Sequence, residues 1–316
     1  MKVLITEVIW DQGITTLQEE GIEVYYDKDL WAKRETLLEI VKDFDAIIVR
    51  NQTKVDQELL IECTKLKVIG RLGVGLDNID VVKAKEKGIH VVMARHANAT
   101  SVAEYVMAAI LSAKRPIHEA NEDVKNGYWD RRKHTGEELY QKTIGLIGLG
   151  EIAHRVAKRA TAFGMEVIGY DPFITEYDHI VAETGVRIKS SLDEILVNSD
   201  FISIHVPLTP STKDLISTQQ LKSMKPSAFL INTSRGGIID EKALCDSLMN
   251  HEIAGVFLDV LESEPVDPSN KLLDFKNAIF SPHIAGLTTE SQIRISLLVA
   301  KEVGKLLKGQ KSLCVV

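Results

Sequence analysis

The chain has 316 residues, 45% hydrophobic and 26% charged, with a formal net charge of −7. That is length for about two domains of ordinary globular composition, and the acidic balance argues against general nucleic-acid binding. No run of about 18 apolar residues occurs, so no membrane-spanning helix and no membrane partner are expected.

In chain order, MKVLITEVIWDQG opens with one lysine and a short apolar run. Glu7 and Asp11 interrupt that run at once, which spoils a signal peptide and leaves a first β-strand. Short apolar runs rich in β-branched residues follow: VLIT (3–6), VYY (24–26), AIIVR (46–50), KVIGR (67–71) and HVVMA (90–94). Between them Glu35–Lys42, Gln57–Cys63 and Ile79–Lys87 read as helices. The alternation predicts a parallel sheet covered on both faces. SVAEYVMAAILSAKR (101–115) is a longer helix, and Glu104 three residues after Ser101 predicts a capping box there.

A second series then begins with the strand TIGLIGL (143–149), the helix EIAHRVAKRATAFG (151–164) and the strand EVIGYD (166–171). FISIHV (201–206), AFLINTS (228–234), GVFLDV (255–260) and AIFSPH (278–283) continue it, and Thr288–Lys308 is a C-terminal helix. The expected fold is α/β: two Rossmann-like doubly wound parallel-sheet domains. A nucleotide-binding domain (97–285) is inserted into a substrate domain built from 1–96 and 286–316. Cys63, Cys245 and Cys314 are widely spaced with no CxxC pair, which fits the cytoplasm and argues against a zinc site or any other metal centre.

LIGLGEIA (146–153) is nearly a dinucleotide fingerprint. Gly148 can make the tight strand-to-helix turn and Gly150 can let backbone approach a pyrophosphate. Ala153 is small enough for the packing role of the third position. Asp171 ends the next strand, where a carboxylate accepts hydrogen bonds from ribose hydroxyls and repels a 2′-phosphate, favouring NAD. By itself the turn is also compatible with a ligand-free connection, and Asp171 with an ordinary Asp-Pro turn.

Three more loops follow strands of this series: NTSRGGIID (232–240), LDVLESEP (258–265) and SPHIAG (281–286). Arg235 offers a rigid, always-charged fork for a carboxylate. His283 can exchange a proton near neutrality, and Glu264 would orient its ring and favour the imidazolium. With a nicotinamide nearby, these parts make a 2-hydroxyacid dehydrogenase.

Together with VRNQTKV (49–55), GRLGVGLDNID (70–80), NATSVAEYV (98–106), GYDP (169–172) and HVPLTPST (205–212), these stretches resemble the D-2-hydroxyacid dehydrogenase family, in its 3-phosphoglycerate dehydrogenase branch. The resemblance implies an Arg235–Glu264–His283 catalytic set. It implies that Val74 and Gly75 offer backbone N–H groups to the substrate carboxylate, a physically sensible anion nest. For the cofactor it adds Glu151, Ile152, His205, Pro207, Thr212, Thr233, Gly286 and Asp259, the last on the nicotinamide carboxamide. A homodimer through the nucleotide-binding domains is also implied.

For a distal phosphate, the resemblance points to Arg50, Asn98 and the position of Asn51, where a serine is usual, and to Arg131 or Arg132 reaching a partner's site. VRNQT, GEIA and HIAGLT equally resemble the (S)-sulfolactate dehydrogenase branch. The small-molecule substrate is thus a 2-hydroxy or 2-oxo acid with a distal anion. Glyoxylate or hydroxypyruvate reduction is an alternative, and an NAD(H)-sensing corepressor is the alternative of a different class. Because the chain ends soon after the helix 288–308, feedback through a C-terminal regulatory domain is not expected.

Overall fold

The computed structural model describes residues 1–316 and divides into two units, 1–98 with 287–316, and 99–286. The first unit begins β1 (Lys2–Ile5), α1 (Asp11–Glu19), β2 (Glu23–Tyr26), α2 (Arg34–Ile40), β3 (Ala46–Val49), α3 (Gln57–Glu62), β4 (Val68–Arg71), α4 (Val81–Glu86) and β5 (His90–Met93). All pairings are parallel, in the order β2-β1-β3-β4-β5.

The strands are apolar without polar alternation because both faces are covered. Val3, Ile5, Ala46 and Ile48 face one apolar cluster, while Leu4, Ile47 and Val49 face another. α3 and α4 start on side-chain caps, with Asp56 accepting from Leu59 N and Asp80 from Lys83 N. α1 escaped the sequence reading because Gly13, Thr15 and Thr16 are poor helix formers.

The second unit runs α5 (Ala99–Lys114), α6 (Ile117–Lys125), β6 (Thr143–Ile147), α7 (Glu151–Ala162), β7 (Glu166–Tyr170), α8 (His179–Thr184), β8 (Arg187–Ile188) and α9 (Leu192–Asn198). It continues through β9 (Phe201–Ile204), α10 (Thr218–Ser223), β10 (Phe229–Asn232), α11 (Glu241–Met249), β11 (Gly255–Leu258) and β12 (Ala278–Phe280). Its seven strands lie in the order β12-β11-β10-β9-β6-β7-β8, all parallel. Numbered from β6, the strands follow the doubly wound dinucleotide-binding order with one further strand.

α5 and α7 share an apolar cluster with Ile144 and Leu146 on one face, while α9, α10 and α11 pack with Ile202 and Leu230 on the other. The capping box expected at Ser101 and Glu104 is absent. α5 starts two residues earlier, Ser101 is buried inside it, and Glu104 meets Arg159 Nη2 at 3.3 Å. Burying the small face of this helix outweighs the local capping signal.

The chain then returns to the first unit as α12 (Thr289–Leu307), capped by the Thr288 hydroxyl accepting from Ser291 N. Ile295, Val299 and Val303 lie in the same apolar cluster as Leu17 of α1 and the first sheet. The last residues cover the sheet edge, with Val315 pairing antiparallel to Val92 and Val316 N donating to Val91 O. No helix is long and apolar enough to cross a membrane.

Candidate active site

Strand order in the second unit reverses between β6 and β9, and open parallel sheets take ligands outside the carboxyl ends at such a boundary. Gly148 makes the turn here with φ +87°, and a Cβ on it would stand 2.7 Å from the His205 carbonyl oxygen. Only glycine satisfies both demands. At Gly150, the N-cap of α7, a Cβ would meet nothing within 4 Å, and no side chain caps the helix. An uncapped twelve-residue helix presents free N–H groups and the positive end of its dipole to this open space.

His205, whose carbonyl lies against this turn, has both ring nitrogens buried without partners, and the Thr233 hydroxyl just after β10 is likewise buried and unpartnered. Burial pushes the His205 imidazole down to about 4. Asp171 accepts from Leu149 N and Phe173 N at 2.9 Å each, which puts a carboxylate against the glycine turn. Open glycine backbone, uncapped helix, orphaned buried polar atoms and a carboxylate at the strand end together fit a dinucleotide.

The other expected cofactor residues have visible local jobs. Glu151 is held by Arg155 Nε (2.9 Å) and Nη2, and Arg155 Nη1 donates to the Thr100 hydroxyl. Ile152 packs against the apolar cluster of α5 and α7. The Thr212 hydroxyl donates to Pro207 O at 2.6 Å and accepts from Thr209 N, shaping the loop after β9.

At the other end of the sheet the loops converge. Asn232 builds the loop after β10, with Oδ1 accepting from Ser234 N and Nδ2 donating to Arg235 O. A Cβ at Gly236 would lie 1.9 Å from Leu261 O, so glycine brings this loop against the one bearing Glu264. Glu264 Oε2 is 2.8 Å from His283 Nδ1. Burial raises the Glu264 carboxyl, but the His283 hydrogen bond and charge, the Leu261 amide and the Arg235 charge outweigh it, leaving it below the usual carboxylate range. If Nδ1 carries the proton donated to Glu264, Nε2 is left as the exchanging nitrogen.

His283 adopts a left-handed backbone, φ +55°. Asp259, 1% exposed, holds it there. Its carbonyl accepts from His283 N at 2.9 Å, and its carboxylate accepts from Ile284 N and Ala285 N at 2.8 Å and from the Ser281 hydroxyl at 2.5 Å. The Tyr105 hydroxyl reaches Ser281 Oγ at 2.6 Å. Strain of this kind persists where surroundings over-determine it. Gly286 ends this loop and closes the unit.

In the first unit, β3 leads into Arg50 and Asn51, and β4 into Val74 and Gly75. The Val74 and Gly75 N–H groups meet no acceptor within the fold. Asn51 is exposed; Asn98 is half-buried and ends the first segment of its unit. The Arg50 guanidinium is half-buried and donates to no protein acceptor; burial lowers its pKa, with the Glu7 charge opposing. Arg131 and Arg132 are exposed in the second unit.

A family model described as "D-isomer specific 2-hydroxyacid dehydrogenase, NAD binding domain" matches residues 107–285. The D-3-phosphoglycerate dehydrogenase of Methanocaldococcus jannaschii is 44% identical over 98% of this chain. The chain belongs to the D-isomer specific 2-hydroxyacid dehydrogenase family. It spans 58% of the length of that archaeal relative. The (S)-sulfolactate dehydrogenase of Chromohalobacter salexigens is 41% identical over 96% of this chain and 98% of its own. Among solved structures, the TT0316 protein of Thermus thermophilus superposes with a TM-score of 0.90 at 31% identity, with full coverage of both chains. The second unit therefore carries this family's NAD binding domain.

Sequence reasoning missed Tyr105 and Ser281, which act on the histidine loop through Asp259. It also missed Glu7 and Asn78, which hold the Arg50 loop. Ser281 stood in the quoted SPHIAG and Asn78 in GRLGVGLDNID, but nothing local marked either as a partner. Glu7 had one usable signal: an acid directly after an apolar strand of a parallel sheet, hence at its carboxyl end.

Proposed function

We propose that this chain is an NAD-dependent D-2-hydroxyacid dehydrogenase acting on a small 2-hydroxy or 2-oxo acid with a distal anionic group, with 3-phosphoglycerate first and (S)-sulfolactate second. The carrying observation is the 2.8 Å contact of Glu264 with His283 Nδ1 on loops of a sheet whose switch point fits a dinucleotide. Bound nicotinamide exchanges a hydride with C2 of the acid. Arg235 grips the substrate carboxylate and polarises the neighbouring carbonyl. His283 Nε2 takes the hydroxyl proton in oxidation and returns it in reduction, with Glu264 orienting the ring and stabilising the imidazolium. The free N–H groups of Val74 and Gly75 serve the same carboxylate. Gly148, Gly150, Glu151, Ile152, Asp171, His205, Pro207, Thr212, Thr233, Asp259 and Gly286 serve the cofactor, and Asp171 sets NAD over NADP.

Arg50 reads the distal anion, with Asn51 and Asn98 beside it. Its unpaired, half-buried guanidinium is what supports that role. A homodimer through the nucleotide-binding units has its own support: α6 buries none of its residues, and Ile117, Val124, Tyr128 and Trp129 are all at least half exposed. Three free thiols fit a cytoplasmic setting.

The test is NAD⁺ reduction with 3-phosphoglycerate, sulfolactate, glycerate and lactate side by side. The two acids with a distal oxyanion should exceed the others in kcat/KM by roughly 10–100-fold, the range for a hydrogen-bonded charge. Turnover of none of them by a protein that still binds NADH would favour the corepressor-like reading.

A further inference from the structure

The first sheet also has a switch point, between β1 and β3. The chain itself occupies it. Glu7, two residues past the end of β1 and 3% exposed, accepts four consecutive backbone N–H groups. Arg50 N (2.8 Å) and Thr53 N (2.9 Å) donate to Oε1, while Asn51 N (3.1 Å) and Gln52 N (2.9 Å) donate to Oε2. No lysine or arginine pairs with this carboxylate, so the four amides offset most of its desolvation.

The same loop is tied from its carbonyl side. Asn78 Nδ2 donates to Arg50 O at 3.1 Å and Thr53 O at 2.7 Å, and the Thr6 and Thr53 hydroxyls meet at 2.7 Å. Successive N–H groups of this sort are what a phosphate or sulfonate would otherwise take. With them filled, only the side chains of residues 50–53 remain there for a ligand, and Arg50 is the one cation among those four.

We infer that Glu7 is a positioning residue for distal-anion recognition. It fills the amide nest with the chain's own carboxylate, fixes the loop, and thereby hands the substrate's distal oxyanion to the Arg50 side chain. The inference rests on the proposed substrate class, but the clamp itself is testable apart from turnover.

Glu7→Gln keeps the shape but turns an NH₂ group toward N–H donors. Hydrogen exchange at residues 50–53 should accelerate about tenfold or more, as expected when a charged acceptor is lost. KM for 3-phosphoglycerate or sulfolactate should rise about tenfold, while kcat and the KM for glycerate stay within about twofold. Glu7→Ala leaves room for a small carboxylate, so added acetate should restore both exchange protection and KM. Unchanged exchange in Glu7→Gln overturns the clamp. A KM rise equal for all acids, or a loss of kcat, reduces Glu7 to a structural residue and overturns its part in recognition. If wild type turns over none of the acids, the functional reading fails. Calorimetric titration of 3-phosphoglycerate then decides the inference: weaker binding in Glu7→Gln, recovered by acetate in Glu7→Ala, supports it, and unchanged or absent binding overturns it.

Discussion

Two parallel sheets in this chain each reverse strand order once, and the two reversals are furnished in opposite ways. Between β6 and β9 the backbone is stripped back: glycines at 148 and 150, an uncapped helix, and buried ring nitrogens of His205 with no partner. Between β1 and β3 four consecutive backbone donors, those of residues 50–53, are taken by Glu7. The same topology therefore produces a ligand crevice only where the chain leaves its own polar groups unsatisfied. Where it satisfies them, the proposed recognition rests on side chains.

The largest effect is expected in the unit that carries the unsatisfied boundary. His283→Ala should lower kcat about 10²–10⁴-fold, the usual span for a positioned acid–base group, with NADH affinity unchanged by fluorescence titration. Normal kcat with weakened NADH binding would move His283 from chemistry to cofactor holding.

Next comes His205, whose imidazole sits near 4 against an ordinary 6.5. A histidine with a depressed folded-state pKa leaves the unfolded chain binding more protons between those values, so stability falls as pH drops from 6.5 towards 4 and no further below that. The loss is on the order of 3 kcal/mol. Thermal melts of the ligand-free protein across this window should flatten in His205→Phe; an unaltered slope would mean the orphaned nitrogens are not what makes this boundary costly.

How far these two boundaries are visible in sequence follows from the same contrast. A glycine turn is local, so LIGLGEIA and its strand–helix context could be read directly, and Arg235, Glu264 and His283 could be grouped because each follows a strand of one parallel sheet. The alternation of apolar runs and helices similarly carried the α/β class and both sheets. Partners distant in sequence were not readable. Glu7 bonds residues 43–46 positions away, and Tyr105 reaches Ser281 across 176. In the sequence Glu7 served only to interrupt a signal peptide. The Ser101 signal misled because capping is worth about 1 kcal/mol, less than the burial of several apolar side chains at about 1.5–3 kcal/mol each.

On the satisfied side, Arg50→Ala should raise KM for phosphoglycerate or sulfolactate about 10–100-fold and leave glyoxylate within about twofold, since only the charged hydrogen bond is lost. Equal losses across substrates would show that the Arg50 loop shapes the site generally and reads no distal anion, which would erase the contrast.

The finest cut lies within the open boundary itself. Gly148 and Gly150 are two residues apart but differ physically. Gly148→Ala puts a side chain at φ +87° and drives Cβ to within 2.7 Å of a carbonyl oxygen. The left-handed strain alone costs about 1–2 kcal/mol, so both the melting temperature and NADH binding should fall. Gly150 has an ordinary φ of −79° and empty space where its Cβ would go, so Gly150→Ala should melt like wild type yet bind NADH more weakly. That split is expected if the space it fills is the ligand's and not the fold's. A Gly150→Ala protein that binds NADH normally would mean that the opening is wider than close pyrophosphate contact requires, and one that melts early would mean that this backbone is less free than its surroundings indicate.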